Sequence, residues 1–110
     1  MTTVGLSETI ALAERLGVDP DRFLEVIDGG PVGAPYAALK GRMMIEREFP
    51  PAFPLYLAGK DARLVLEAGE SDRAEMPTTR AIERRIAAAI ESGHGDEDMA
   101  AVYLASAGDG

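Results

Sequence analysis

Apolar side chains in this chain recur every three or four positions rather than every second one, the spacing of one face of an α-helix. A first helix is predicted from Ser7, placed as N-cap, to Leu16, with Gly17 to end it. At 100° per residue Leu6, Thr9, Ile10, Leu12, Ala13 and Leu16 share one arc, and Glu8, Ala11, Glu14 and Arg15 lie opposite. Asp19-Pro20 then reads as a cap followed by a proline at the first helical position, with Phe23, Leu24, Val26 and Ile27 on the buried side and Gly29-Gly30-Pro31 as the stop. A third segment from about Ala34 to Lys40 leads into Gly41 and a short apolar step, Met43-Met44-Ile45.

Prolines organise the second half. Pro50, Pro51 and Pro54 forbid regular helix until Pro54 can open the longest one, predicted to run to about Ala68. A polar stretch, Gly69 to Arg73, separates it from a helix opened by Pro77 and continued to Ser92, with Ile82, Ile86, Ala89 and Ile90 inward. Gly93 and Gly95 bracket His94, Asp96 or Asp98 caps a last helix through Ala105, and Gly108-Asp109-Gly110 is expected to fray. The expected fold is all-α, a compact bundle of about five to six helices in a single domain spanning 1–110.

Composition supports that reading and removes several functions. Among 110 residues there are 18 alanines and 10 leucines but no Asn or Gln, a bias toward helix formers. The absence of cysteine excludes a disulfide framework, a zinc-thiolate site and a thiol nucleophile together. With 11 Lys plus Arg against 19 Asp plus Glu, the net charge of -8 disfavours nucleic acid, whose binding rests on clustered cations. No uncharged apolar run approaches the roughly 20 residues of a membrane helix, and no apolar leader follows Met1, so a soluble, cytoplasmic protein is expected.

The sharpest local anomaly is Lys60-Asp61, midway along the longest predicted helix. With Leu57 at zero on the wheel, Phe53, Leu64, Val65 and Ala68 fall within about 80°, and Asp61 falls among them. Its neighbours at i±3 and i±4 are Leu57, Ala58, Leu64 and Val65, so a buried Asp61 would need a backbone N–H or an arginine from elsewhere in the fold. Lys60 lies at the edge of the arc, in a row with Tyr56, Arg63 and Glu67. An ordinary charged helix margin with one polar core anchor accounts for both residues; a ligand-facing lysine is the functional alternative. His94, Asp96, Glu97 and Asp98 could form an oxygen-rich metal site, but a helix stop followed by an acidic cap explains them more simply. Arg80, Arg84 and Arg85 read as a solvated face balanced by Glu83 and Glu91, the glycines at 29–33 do not form a dinucleotide loop, and no triad spacing is present. No catalytic residue and no metal ligand is assigned.

Taken in order, these pieces resemble the C-terminal helical domain of the β-hydroxyacid dehydrogenase family, which includes 3-hydroxyisobutyrate dehydrogenase and tartronate semialdehyde reductase. The resemblance begins at Glu8-Thr9-Ile10-Ala11-Leu12-Ala13-Glu14-Arg15-Leu16-Gly17-Val18-Asp19 and passes through Gly29-Gly30 and the Lys40-Gly41 step. It continues with Phe49-Pro50-Pro51-Ala52-Phe53, Leu55, Leu57 and Lys60-Asp61, and ends at Gly93-His94-Gly95-Asp96-Glu97-Asp98. It implies the fold of the 6-phosphogluconate dehydrogenase C-terminal domain, a place beside a cleft completed by a Rossmann domain that holds NAD or NADP, and Lys60 as a cofactor-binding residue near the nicotinamide end. Past Lys60-Asp61 the pattern departs: Ala62, Arg63 and Val65 stand where the family usually has Leu, Gly and Ala, and Glu67 where it usually has Asp.

The family's catalytic lysine belongs to a KxxN motif, which a sequence without Asn does not contain; the glycine-rich dinucleotide fingerprint is missing from it too. The reading is therefore a cleft-forming and dimerisation domain of an NAD(P)-dependent dehydrogenase, with the Rossmann domain absent from these residues, inactive and binding no cofactor alone. A homodimer is expected, because the apolar arc of Leu6, Ile10 and Leu16 is short of cover. The alternatives are a non-catalytic self-associating helical module and an imine reductase-like C-terminal domain.

Overall fold

The computed structural model describes residues 2–30, 35–71 and 73–107, and among them there are helices and no strands. Six α-helices follow one another: α1 (Thr2–Arg15), α2 (Pro20–Ile27), α3 (Pro35–Glu46), α4 (Leu55–Ser71), α5 (Pro77–Ala89) and α6 (Tyr103–Ala107). A π-turn (Ile90–His94) extends α5, and a 3-10 turn (Met99–Val102) leads into α6. Pro31, Ala34 and the tail from Gly108 lie outside the described residues. Helix α1 is the hub, packed against α2, α3, α6 and the 3-10 turn, while α4 pairs with α5.

Helix α1 starts five residues earlier than its predicted cap, and a different face is buried. Ser7 does not cap: it is fully buried and its hydroxyl donates to the Val4 carbonyl at 2.6 Å, satisfying itself within the helix. The inward face is Thr3, Val4, Leu6, Ser7, Ile10 and Ala11. Thr9, Leu12 and Leu16, expected inside, are exposed, Leu12 by 56% and Leu16 by 68%. The reason is steric: Ala11 and the two hydroxyl residues let neighbouring elements approach α1 closely, and larger side chains there would not. Since Leu6 and Ile10 are covered within the fold, the uncovered large apolar side chains of the arc expected on α1 are Leu12 and Leu16.

Helix ends follow local rules well. Gly17 adopts φ +76 and closes α1 with paired bonds, Gly17 N–H to Glu14 and Val18 N–H to Ala13, at 3.1 and 2.9 Å. Asp19 caps α2 by accepting from the Asp21 N–H at 2.9 Å, with Pro20 in the first turn. Within α2 only Leu24 is buried; Val26, expected inside, is 81% exposed, because eight residues give two turns and one narrow contact face. Helix α3 does not stop at Lys40. It runs through Gly41, where a Cβ would lie 2.8 Å from Leu24 Cδ2, so this glycine admits α2 rather than ending α3. Pro54 stands one residue before α4 and its carbonyl accepts from Leu57 and Ala58. The predicted inward set on α5 holds: Ile82, Ile86 and Ala89 are buried and Ile90 half-buried.

The largest correction concerns α4. Its buried residues are Leu55, Ala58, Gly59, Ala62 and Gly69, on the side opposite the predicted arc. The arc itself faces outward, with Phe53, Leu64 and Val65 exposed by 38, 52 and 43% and Ala68 exposed as well. A Cβ on Gly59 would sit 3.1 Å from Ile90 and 3.2 Å from Ile86, and one on Gly69 2.6 Å from the Met76 sulfur. Side-chain bulk on α5 and the turn before it fills the space that small residues on α4 leave, so α4 packs by its glycines and alanines.

Candidate functional site

The site is built on the proline-rich segment between α3 and α4. Asp98, fully buried, receives two N–H groups of that segment on Oδ1, from Ala52 at 3.0 Å and Phe53 at 3.1 Å. On Oδ2 it receives Lys40 Nζ at 2.8 Å and the Ala100 N–H at 2.9 Å, the latter being its capping bond to the 3-10 turn. Main-chain bonds tighten the same junction: Asp98 N–H to Phe49, Met99 N–H to Phe53, Leu55 N–H to Glu97 and Tyr56 N–H to Gly95, between 2.8 and 3.1 Å. The last two satisfy amides at the start of α4 that no residue of its own turn could reach. Burial by itself raises the Asp98 pKa; the Lys40 hydrogen bond and the amides of Ala100, Phe53 and Ala52 outweigh it and hold the carboxyl below its usual value.

Phe53, held in this way, forms one wall of a small cleft of about 120 Å³ whose other lining residues include Thr3, Leu55, Ala58, Asp61, Ile86 and Met99. The lining is mostly apolar. Its polar groups are the Asp61 carboxylate and the buried Thr3, whose Oγ1 donates to Tyr36 Oη at 3.1 Å while Tyr36 donates to Met99 Sδ at 3.0 Å. An apolar cleft with few polar groups in fixed places is the usual form of a small-molecule site.

Asp61 is not buried and has no arginine or amide partner among the described residues, contrary to expectation. An acid can stand on this apolar arc because the arc is turned away from the core: Asp61 reaches the cleft with Phe53, while Leu64, Val65 and Ala68 face solvent. Lys60 is exposed one position earlier on α4 and makes no ion pair among the described residues; it does not line the cleft itself. The imagined metal set falls apart: His94 Nδ1 pairs with Glu97 Oε1 at 2.5 Å while Asp98 turns inward to Lys40, and no cluster able to hold a metal exists among the described residues. Arg80 and Arg84 are solvated, but Arg85 is not a simple surface charge, since its Nη2 donates to Ser106 Oγ at 3.1 Å. Sequence reasoning missed the Lys40–Asp98 anchor. The only signal for Lys40 was a cation directly before a glycine that reads as a helix end.

A helical domain presenting an apolar cleft at the start of a long helix is the class of protein that known structures also show. The fold matches a crystal structure of 3-hydroxyisobutyrate dehydrogenase from Salmonella typhimurium with a TM-score of 0.83 at 22% identity, over 93% of this chain and 37% of that one. Residues 1–105 match the family model described as the NAD-binding domain of NADP-dependent 3-hydroxyisobutyrate dehydrogenase. The chain therefore belongs to the 3-hydroxyisobutyrate dehydrogenase, or β-hydroxyacid dehydrogenase, family. Among curated relatives it is 38% identical to glyoxylate/succinic semialdehyde reductase 2, chloroplastic, of Arabidopsis thaliana, over 90% of this chain and 28% of the relative. It is 33% identical to the cytokine-like nuclear factor N-PAC of Aedes aegypti, over 91% of this chain and 18% of that protein. The chain thus spans about a third or less of these relatives. No helix among the described residues is long and apolar enough to cross a membrane.

Proposed function

We propose that these residues form the cleft-bearing helical domain of an NAD(P)-dependent β-hydroxyacid dehydrogenase and act with a Rossmann domain that holds the dinucleotide. The observation that carries the reading is the cleft between Phe53 and Asp61, in a chain matched almost end to end by the family's NAD-binding domain. The residues fit the reactive end of the cofactor in kind: apolar walls suit a flat ring, and the exposed Lys60 ammonium, one residue before the cleft-lining Asp61 and without an ion pair among the described residues, suits a negatively charged group of cofactor or substrate. When bound, NAD(P) would supply the hydride chemistry, and the protein would supply placement and electrostatics. Lys60 attracts and orients an anion, Phe53 and Leu55 exclude water, and the Asp98 strap keeps Phe53 in position. The substrate class is a short 3-hydroxy acid or its semialdehyde. Titration of the chain with NADPH, followed by fluorescence, tests the division of labour. These residues alone are expected not to bind; joined to a Rossmann domain of the family, binding that Lys60→Ala weakens supports a cofactor-facing lysine, and binding unchanged by the substitution refutes it. The 110 residues alone give no turnover with NAD or NADP and 3-hydroxyisobutyrate; reduction of cofactor above background would overturn that part.

A second reading, self-association without catalysis, is favoured by one observation. Phe53, just before α4, and Tyr56, Leu64 and Val65 on the exposed side of α4 are large apolar side chains open to solvent. A homodimer built on this face would be lost on Leu64→Asp and would shield Lys60. Light scattering of both proteins at ~10 μM, where a standard interface is filled, decides it.

A further inference from the structure

Away from the cleft, cations converge at one further place. Arg15 in α1 sends Nη2 to the main-chain carbonyl of Ser106 at 3.1 Å, and Arg85 in α5 sends Nη2 to the hydroxyl of the same serine, also at 3.1 Å. Two guanidiniums from different helices meet at one residue of α6, in a chain whose net charge is -8. Arg85 Nε is shielded from solvent and has no hydrogen-bond acceptor among the described residues. Its nearest acid, Glu8, holds Oε1 3.9 Å away, close enough for charge attraction and too far for a hydrogen bond. An open groove of about 250 Å³ runs between these groups, lined by Glu8, Ala11, Leu12, Arg15, Arg85 and Ser106.

We propose that this groove binds a phosphate monoester. With Glu8 displaced, Arg85 presents Nε beside Nη2 as the parallel edge that an oxyanion takes bidentately, and Arg15 brings the second positive charge. The Ser106 hydroxyl accepts from Arg85 and keeps its own proton to donate. These donors outnumber the two oxygens of a carboxylate and suit the three terminal oxygens of a phosphate. Ala11 and the half-exposed Leu12 give the ester's hydrocarbon part an apolar floor. Glu8 is the built-in competitor: its side chain is 59% exposed and swings away when the anion enters. The site is separate from the cleft at Asp61 and does not depend on the cofactor reading.

The test is an NMR titration of the full chain, following the arginine Nε–Hε signals, with inorganic phosphate, phenyl phosphate, acetate and chloride at equal ionic strength. The Arg85 signal should shift and saturate with both phosphates, phenyl phosphate binding more tightly, and should respond weakly to acetate. Arg85→Gln should lower phosphate affinity about tenfold, the loss of one charge-assisted bidentate contact, and Glu8→Gln should raise it several-fold. Should Arg85→Gln unfold the chain, Arg15→Gln serves in its place, with a smaller expected loss. Equal, unsaturating responses to phosphate and chloride, or weaker phosphate binding in Glu8→Gln, would overturn the proposal.

Discussion

Lys40 and Asp98, 58 residues apart, form an ion pair of 2.8 Å with only 4 and 0% of their side chains exposed. Removing one partner strands the other charge in the interior, which costs about 3–5 kcal/mol, a large share of a small domain's stability. Lys40→Met should therefore lower the urea midpoint sharply. Asp98→Ala should cost more, since it also frees the amides of Ala52, Phe53 and Ala100. A loss below about 1 kcal/mol in either variant would show that water reaches the pair.

Acid should expose the same linkage. The folded Asp98 carboxyl titrates below its ordinary 3.8, so its contribution is complete above that value and disappears as the pH falls toward the folded pKa. Stability of the wild type should fall as the pH drops through 4, measured by urea unfolding at successive pH values, and Asp98→Asn should flatten that slope.

Tyr103 gives the opposite limb. Burial, and then the hydrogen bond its hydroxyl donates to Glu14, push its pKa to about 12. A folded pKa raised above 10 means that the contribution is whole below pH 10 and is lost as the pH rises toward 12. Tyr103→Phe should remove most of the alkaline loss of stability between those values and cost about 1 kcal/mol at pH 7.

The orientation of α4 is testable by a pair of substitutions. Gly59→Val pushes branched carbons into Ile86 and Ile90, already 3.2 and 3.1 Å from an added Cβ, and should destabilise by about 1–3 kcal/mol. Leu64→Ser, on the exposed face, should stay within about 0.5 kcal/mol. The reverse order of effects would mean that the helix faces the other way.

Arg73 ends α4 in the left-handed region, φ +57, with Arg73 N–H bonded to Glu70 and Ala74 N–H to Gly69. Glycine takes this conformation without a Cβ penalty, so Arg73→Gly should raise stability by about 0.5–1 kcal/mol. Arg47, φ +54, makes the same turn after α3, but its guanidinium lies 5.3 Å from the Tyr103 ring centroid. There the gain from glycine should be offset by the lost cation–π contact.

The residues by themselves determined the helices, most of their caps, the break at Pro50–Pro54 and the family, because each depends on neighbours within about one turn or on the order of short motifs. Asp98 as a cap and Gly17 as a stop belong here. What only the tertiary structure decided is which face each helix buries. Periodicity marked the apolar arc of α4 correctly but assigned it to the core, whereas the space opposite Gly59 is filled by Ile86 and Ile90, 27 and 31 positions later, and that opposite Gly69 by Met76. The same blindness hid Lys40: a lysine looks solvated until a carboxylate 58 residues later closes over it. Burial is set by the size and charge of a partner brought from elsewhere in the chain, and no local pattern encodes that partner.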